Sequence, residues 1–189
     1  MKAITLNELA ELACKYGLEL ADIQAVYEVE AAGKGFLNNG HPKILFERHW
    51  FSKFTNRPYD RTSPDISSTV PGGYKGGLDE WDRFNRAQEL NRDAAIRATS
   101  WGVGQVMGEH YKKLGFKTPQ DFLNANFQGE KEQFNIMLKF ISQNSIIYNA
   151  LKRRDWKTFA KYYNGPDYAK NKYDTKLAAA HSKFSKLIA

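Results

Sequence analysis

Two glutamates close a helical stretch that runs from about Glu19 to Ala32 and ends at Gly33 and Gly35, and the helical period separates them. At about 100° per residue, with Ile23 as origin, Val26 falls at about −60°, Tyr27 at about +40° and Glu30 at about −20°, whereas Glu28 falls at about 140°. Glu30 therefore shares the apolar face. A carboxyl there loses solvation that its charged form needs, so its pKa rises toward the range in which a general acid works near neutral pH. Glu28 reads as an ordinary solvated carboxylate. A Glu in the last turn of an amphipathic helix can equally be structural, satisfied by a backbone group or an arginine, and phase alone does not separate the readings. The glycines after Glu30 favour chemistry, because they let the helix end at an open cleft.

The elements that must position this carboxyl are mostly helices. Thr5 with Glu8 forms a capping box before Leu6, Leu9, Leu12 and Ala13, and Gly17 stops that first helix. KILFERHWFSKF (43–54) fits both periods: Ile44, Phe46 and Arg48 read as a strand, Phe46, Trp50 and Phe54 as a helix. A short β-hairpin near 36–50 turning into a helix satisfies both. From Arg61 to Gly77 Pro, Gly and Ser dominate, and so long a loop in a compact domain reads as a substrate-side rim or lid. Helices follow at about 78–90, 91–99 (capped by Asn91) and 103–114 (stopped by Gly115), and Thr118, Pro119 and Asp121 open another. Phe134, Met137, Leu138 and Ile141 give 130–143 the stripe of a central buried helix, and helices near 145–153, 155–163 and 174–187 complete the chain. With no repeat, low-complexity tract or linker, residues 1–189 read as a single, mainly α domain.

Composition sets outer bounds. A hydrophobic fraction of 42% with 26% charged residues is that of a globular protein, and no apolar run is long enough to span a bilayer. Glu8 and Glu11 interrupt any signal-peptide core, so export by the usual route is not expected. Cys14 is the single cysteine, and His41, His49, His110 and His181 show no ligand spacing, so neither a disulfide nor a metal site is expected. Residues 152–189 hold ten Lys or Arg against Asp155, Asp167 and Asp174, which accounts for the whole net charge of +7. That end is either a solvated basic face or the contact for an anionic partner.

Five segments, VYEVEAAGKGFLNNGHPKILFERHWF (26–51), VPGGYKGG (70–77), EWDRFNRA (80–87), SWGVGQVM (100–107) and YYNGPDYAKNKYDTKLAAAH (162–181), together resemble the N-acetylmuramidase domain of phage and prophage endolysins. The resemblance covers about residues 20–181 and implies a lysozyme-like fold in which a helix-end Glu, a Gly-x-x-Gln-x-Met segment and a Tyr-Asn-Gly turn line one sugar-binding cleft. It selects Glu30 as catalytic acid, the residue the helical phase also selects. It places Gly102, Gln105 and Met107 on the second motif and Tyr163 and Asn164 on the third. Gln105 would bind sugar hydroxyl or acetamido groups and the Tyr163 hydroxyl would hold the Glu30 carboxyl; the structural alternatives are a helix-capping Gln105 and a core Tyr163. Trp101 is the aromatic expected to stack on sugar, with Trp50 and Trp81 left to packing. Related enzymes usually carry Ser after the catalytic Glu where this chain has Ala31.

Glycoside hydrolysis normally needs a second carboxylate, about 5 Å away when retaining and about 6.5–9.5 Å when inverting; the principle's own type case is a lysozyme. Glu47 is the candidate, its alternative being a buried ion pair with Arg48 or another arginine; Asp65 and Asp79 are outside candidates. The expected activity is cleavage of the β-1,4 bond between N-acetylmuramic acid and N-acetylglucosamine without a cofactor, by a monomer acting on peptidoglycan glycan strands. Synthesis in a host bacterial cytoplasm and holin-type release to the periplasm follow from the resemblance. The basic C-terminal helix, with Leu177, Phe184, Leu187 and Ile188 among its lysines, is expected to meet anionic outer-membrane lipid. The rivals are a lytic transglycosylase using the same Glu30, a non-catalytic wall-binding module, and a nucleic-acid binder, which the confinement of charge to one end disfavours.

Overall fold

The computed structural model describes residues 3–30 and 35–188. Ala31, and the helix end expected at Ala32 and Gly33, lie outside the described residues. The chain begins as its capping signals dictate: Thr5 Oγ accepts from the Glu8 N–H while the Glu8 carboxylate accepts from the Thr5 N–H, and α1 (Leu6–Tyr16) ends on a left-handed Gly17. Helix α2 (Leu20–Glu30) buries Ile23 and Val26 and leaves Glu28 to solvent, so the phase that separated the two glutamates is the phase adopted.

Strand β1 (Ile44–Phe46) leads through Glu47 into α3 (Arg48–Thr55). The hairpin expected near 36–50 is reduced to a single bridge between Phe36 and Pro42. Strand β1 pairs instead with β2 (Thr99–Trp101), Ile44 opposite Trp101, and β2 pairs with β3 (Val106–Met107). The helix expected at 103–114 is therefore replaced by β3, a 3-10 turn over Gly108–His110 and further turns to Gly115. Val103, Val106, Met107 and Leu114 imitate a helical stripe, but Gly102 stands at φ 65° and a Cβ on Gly108 would lie 2.1 Å from the Ile96 carbonyl oxygen. Side-chain-free, left-handed backbone builds a tight turn here, not a helix.

The remaining helices are α4 (Gly77–Leu90), α5 (Arg92–Arg97), α6 (Pro119–Asn126), α7 (Glu130–Ser142), α8 (Ser145–Lys152), α9 (Trp156–Tyr163) and α10 (Tyr173–Ile188). Asn91 caps α5, and Thr118 with Asp121 boxes the start of α6. Helix α7 is the central buried helix, with Phe134, Ile136, Met137, Leu138 and Ile141 all inside one continuous core, as a mainly α, lysozyme-like fold requires. Helix α10 packs along α2 and buries Leu177 and Ala180 against it. Beneath that contact the buried Asp22 accepts from Arg154 Nε at 2.9 Å and lies 3.2 Å from His181, tying α2 to the turn after α8 and to α10. The segment between α3 and α4 has neither helix nor strand, as its composition requires, yet it is pinned: Arg48 donates to the carbonyls of Pro64, Val70 and Pro71. No helix among the described residues is long and apolar enough to cross a membrane.

Candidate active site

Where α2 ends, the β2–β3 turn and the end of α9 enclose a groove of about 470 Å³ lined by Glu30, Lys43, Gln105, Met107, Tyr163 and Asn164 among others. Glu30 sits half-buried in its wall. Burial pushes its carboxyl from 4.5 up to about 7, against the opposing pull of the Asn164 amide and of the Lys176 charge. Desolvation wins because both opposing influences are modest: one neutral donor and one exposed cation. Asn164 Nδ2 lies 3.1 and 2.9 Å from the two carboxyl oxygens and donates to the pair, while its own Oδ1 is buried without a donor among the described residues.

Tyr163 also lines the groove, but its hydroxyl donates to the Gly104 carbonyl at 3.0 Å and not to Glu30. The expected tyrosine clamp on the acid is thus an asparagine clamp, one residue further along. The Tyr163 ring stacks on Phe159 at 5.4 Å, and burial, with the nearby Glu30 charge, raises its phenol well above the usual range, so it serves as a neutral donor bracing the β2–β3 turn. Gln105, at φ 47°, turns its Nε2 back to the carbonyls of Gly102 (2.9 Å) and Lys43 (3.3 Å) and so closes the turn that carries it; its amide oxygen has no donor among the described residues.

Trp101 is not in the groove. It is 1% exposed, donates Nε1 to the Ile96 carbonyl and meets Trp81 and Phe84 edge-on, so it offers no face to a sugar. Strand alternation explains the misplacement: a residue opposite Ile44 on β2 points into the core. Trp81 is core as expected, and Trp50 stacks on Phe54.

Glu47 stands at the β1–α3 junction and is not among the residues that line the groove. Both its oxygens accept from the Tyr74 hydroxyl, at 2.9 and 2.8 Å, and His49 lies at 3.3 Å; no arginine among the described residues pairs with it. Burial, then the hydrogen bond to Glu47 and its charge, pushes the Tyr74 phenol up to about 12. Asp65 is held below the usual carboxylate range by its hydrogen bond to Arg86, and Asp79 lies exposed in the first turn of α4. Among the described lining residues Glu30 is the one carboxylate.

Three further residues set the geometry and were not found by sequence reasoning. Gln133 in α7, buried, accepts from the Val103 N–H and donates to the Asn126 carbonyl, and a Cβ on Gly102 would lie 2.5 Å from its Cδ. Glu130, at the start of α7, accepts from Tyr27 on α2 at 2.6 Å and from the Gly35 N–H at 2.7 Å, so it grips the chain on both sides of Glu30. His110, against Phe140, lines the groove with its imidazole pKa lowered by burial and by Lys113. The period does mark Glu130 and Gln133, since they share the stripe of Phe134, Met137 and Ile141.

Comparison with known proteins agrees with this geometry. A search of curated proteins returned no match. Among solved structures, the crystal structure of a Burkholderia AP3 phage endolysin superposes with a TM-score of 0.95 at 35% identity, over 99% of this chain and 72% of that one. The family model for N-acetylmuramidases matches residues 19–185, and the chain belongs to that family of peptidoglycan-cleaving glycoside hydrolases.

Proposed function

We propose that this chain is an endolysin's catalytic domain in which Glu30 protonates the leaving oxygen of the β-1,4 bond between N-acetylmuramic acid and N-acetylglucosamine. The observation that carries the assignment is a carboxyl raised to about 7 in the wall of a saccharide-sized groove, because an acid of that pKa holds its proton near neutral pH and still releases it. Asn164 orients the carboxyl, and the free amide oxygen of Gln105 accepts from a sugar hydroxyl or acetamido N–H. Tyr163 supports the turn between them. Glu47 is the candidate for the second carboxylate, supported by its fixed orientation and by the lack of an arginine partner among the described residues.

The absence of a second carboxylate among the described groove residues favours one further reading, a lytic transglycosylase in which Glu30 acts as acid and then base and the product is a 1,6-anhydro sugar. Mass spectrometry of muropeptides from purified peptidoglycan separates the two. Glu30→Gln is expected to fold and to lose at least about 10³-fold in rate, since its amide cannot protonate the bond; a wild-type rate would end the assignment. Glu47→Gln losing about 10²-fold or more supports its catalytic part, whereas unchanged kcat with a lower Tm makes the Tyr74–Glu47 contact a loop clamp.

In the same reading the protein works as a monomer, without nucleic acid, and reaches the periplasmic wall from the host cytoplasm through a holin-type lesion. Anionic outer-membrane lipid would meet the far end of α10, where Leu187 is 75% exposed beside Lys183 and Lys186. Leu177 takes no part, being fully buried.

A further inference from the structure

Beside the groove that holds Glu30, α2 and α10 open a second hollow of about 400 Å³, lined by Glu28, Val29, Lys176, Ala179, Ala180 and Lys183. Val29 lines both spaces. Tyr173, a wall residue of the groove, lies under Lys176, whose Nζ is 5.5 Å from the ring centroid. Lys176 therefore stands where the hollow meets the groove. The other two charges of the hollow neutralise each other, with Lys183 Nζ 2.6 Å from the Glu28 carboxylate. Lys176 has no carboxylate at ion-pair distance among the described residues, and its charge acts on Glu30 across the junction. Lys43, exposed on the groove, is likewise without an ion-pair partner among the described residues.

A glycan strand of peptidoglycan is uncharged along its sugar backbone. Its negative charge hangs sideways, from the 3-O-lactyl group of every muramic acid residue, as the lactyl carboxylate itself or as the carboxylates of the peptide stem attached there. A cation resting on an aromatic ring and with no carboxylate at ion-pair distance among the described residues, in a side hollow that joins the cleavage groove, matches an anionic substituent that leaves the glycan axis. We infer that the α2–α10 hollow is a subsite for the anionic 3-O substituent of a muramic acid residue bound in the groove, with Lys176 pairing its carboxylate. This inference rests on the muramidase reading of the groove. It makes Lys176 a specificity-determining residue that distinguishes muramic acid from plain N-acetylglucosamine polymers.

The test compares wild type, Lys176→Gln and Lys176→Arg at about pH 5.5, well below the Glu30 midpoint, so that losing the Lys176 charge does not change the supply of protonated acid. Three substrates are used: glycan strands bearing peptide stems, strands stripped by an amidase to the free lactyl carboxylate, and strands whose carboxyls have been amidated with ammonia and a carbodiimide. Lys176→Gln is expected to raise KM by about 3–10-fold on carboxylate-bearing strands with kcat unchanged, and Lys176→Arg to restore it. On amidated strands wild type and Lys176→Gln become alike. An effect confined to stem-bearing strands assigns the subsite to the peptide carboxylates, and one confined to stripped strands assigns it to the lactyl group. Equal KM for wild type and Lys176→Gln on carboxylate-bearing strands, or an equal loss on amidated ones, overturns the inference. A wild-type protein that cleaves none of the three brings down the muramidase reading instead.

Discussion

At the scale of single residues, the proposed chemistry turns on Glu30 and the amide that holds it. Asn164 donates to both carboxyl oxygens and so favours the ionised form; removing it leaves desolvation less opposed. The activity of Asn164→Ala is therefore expected to persist to higher pH than that of wild type, because the midpoint of the acid rises above about 7, while kcat falls through lost orientation. A pH–rate profile checks both, and an alkaline limb that moves down would show that Asn164 does not act on the acid. The raised pKa also bears on stability. Folded Glu30 binds its proton more tightly than an unfolded glutamate near 4.5, so its contribution is complete below that pH and is lost as pH rises through about 7. The placement of Glu30 on the inner face of α2 was legible because helical phase is a local property and Ile23, Val26 and Glu30 obey it. Trp101 was misread because no local signal says which face of a three-residue strand looks inward; its partner Ile44 is more than fifty residues away.

Elements are held in place here by buried polar groups. Glu80, fully buried, accepts from the N–H groups of Phe46, Lys75 and Gly76 and from Arg83 at 2.8 Å. Arg83 donates onward to the carbonyls of Phe46 and Asp65. One ion pair thus joins α4, β1 and the 61–77 segment. Arg83→Met leaves the Glu80 charge buried and less satisfied and is expected to cost about 3–5 kcal/mol. The exposed pair that Arg86, on the same helix, makes with Asp65 of the 61–77 segment should cost less than about 1 kcal/mol when broken by Arg86→Met. Urea denaturation of the two variants checks the contrast; equal losses would contradict it. Capping boxes and the central helix were readable, because Thr5 with Glu8 and the stripe of α7 are written within one element. The sheet was not, because it is closed between segments far apart in sequence, and the glycines that permit the 102–108 turn interrupt a stripe that otherwise fits a helix.

For the molecule as a whole, the concentration of charge at the C-terminal end was plain in the sequence, but its disposition was not. Helix α10 is a structural partner of α2 first, with Leu177 and Ala180 inside and the lysines outside, which brings Lys176 beside the groove that holds Glu30. What remains for lipid is the last turn, so binding to anionic vesicles is expected to fall severalfold on Leu187→Ser, measured by co-sedimentation, while lysis of purified peptidoglycan stays unchanged. The core, the Asp22 network and the α7 clamp on Tyr27 and Gly35 all bear on the same place, the end of α2. Their joint effect is to hold the Glu30 carboxyl half-buried in the wall of the groove. Titration of the Glu30 side-chain carboxyl by carbon-13 NMR measures that effect directly: the account requires a midpoint at about 7, and a midpoint at the ordinary value of 4.5 would contradict it.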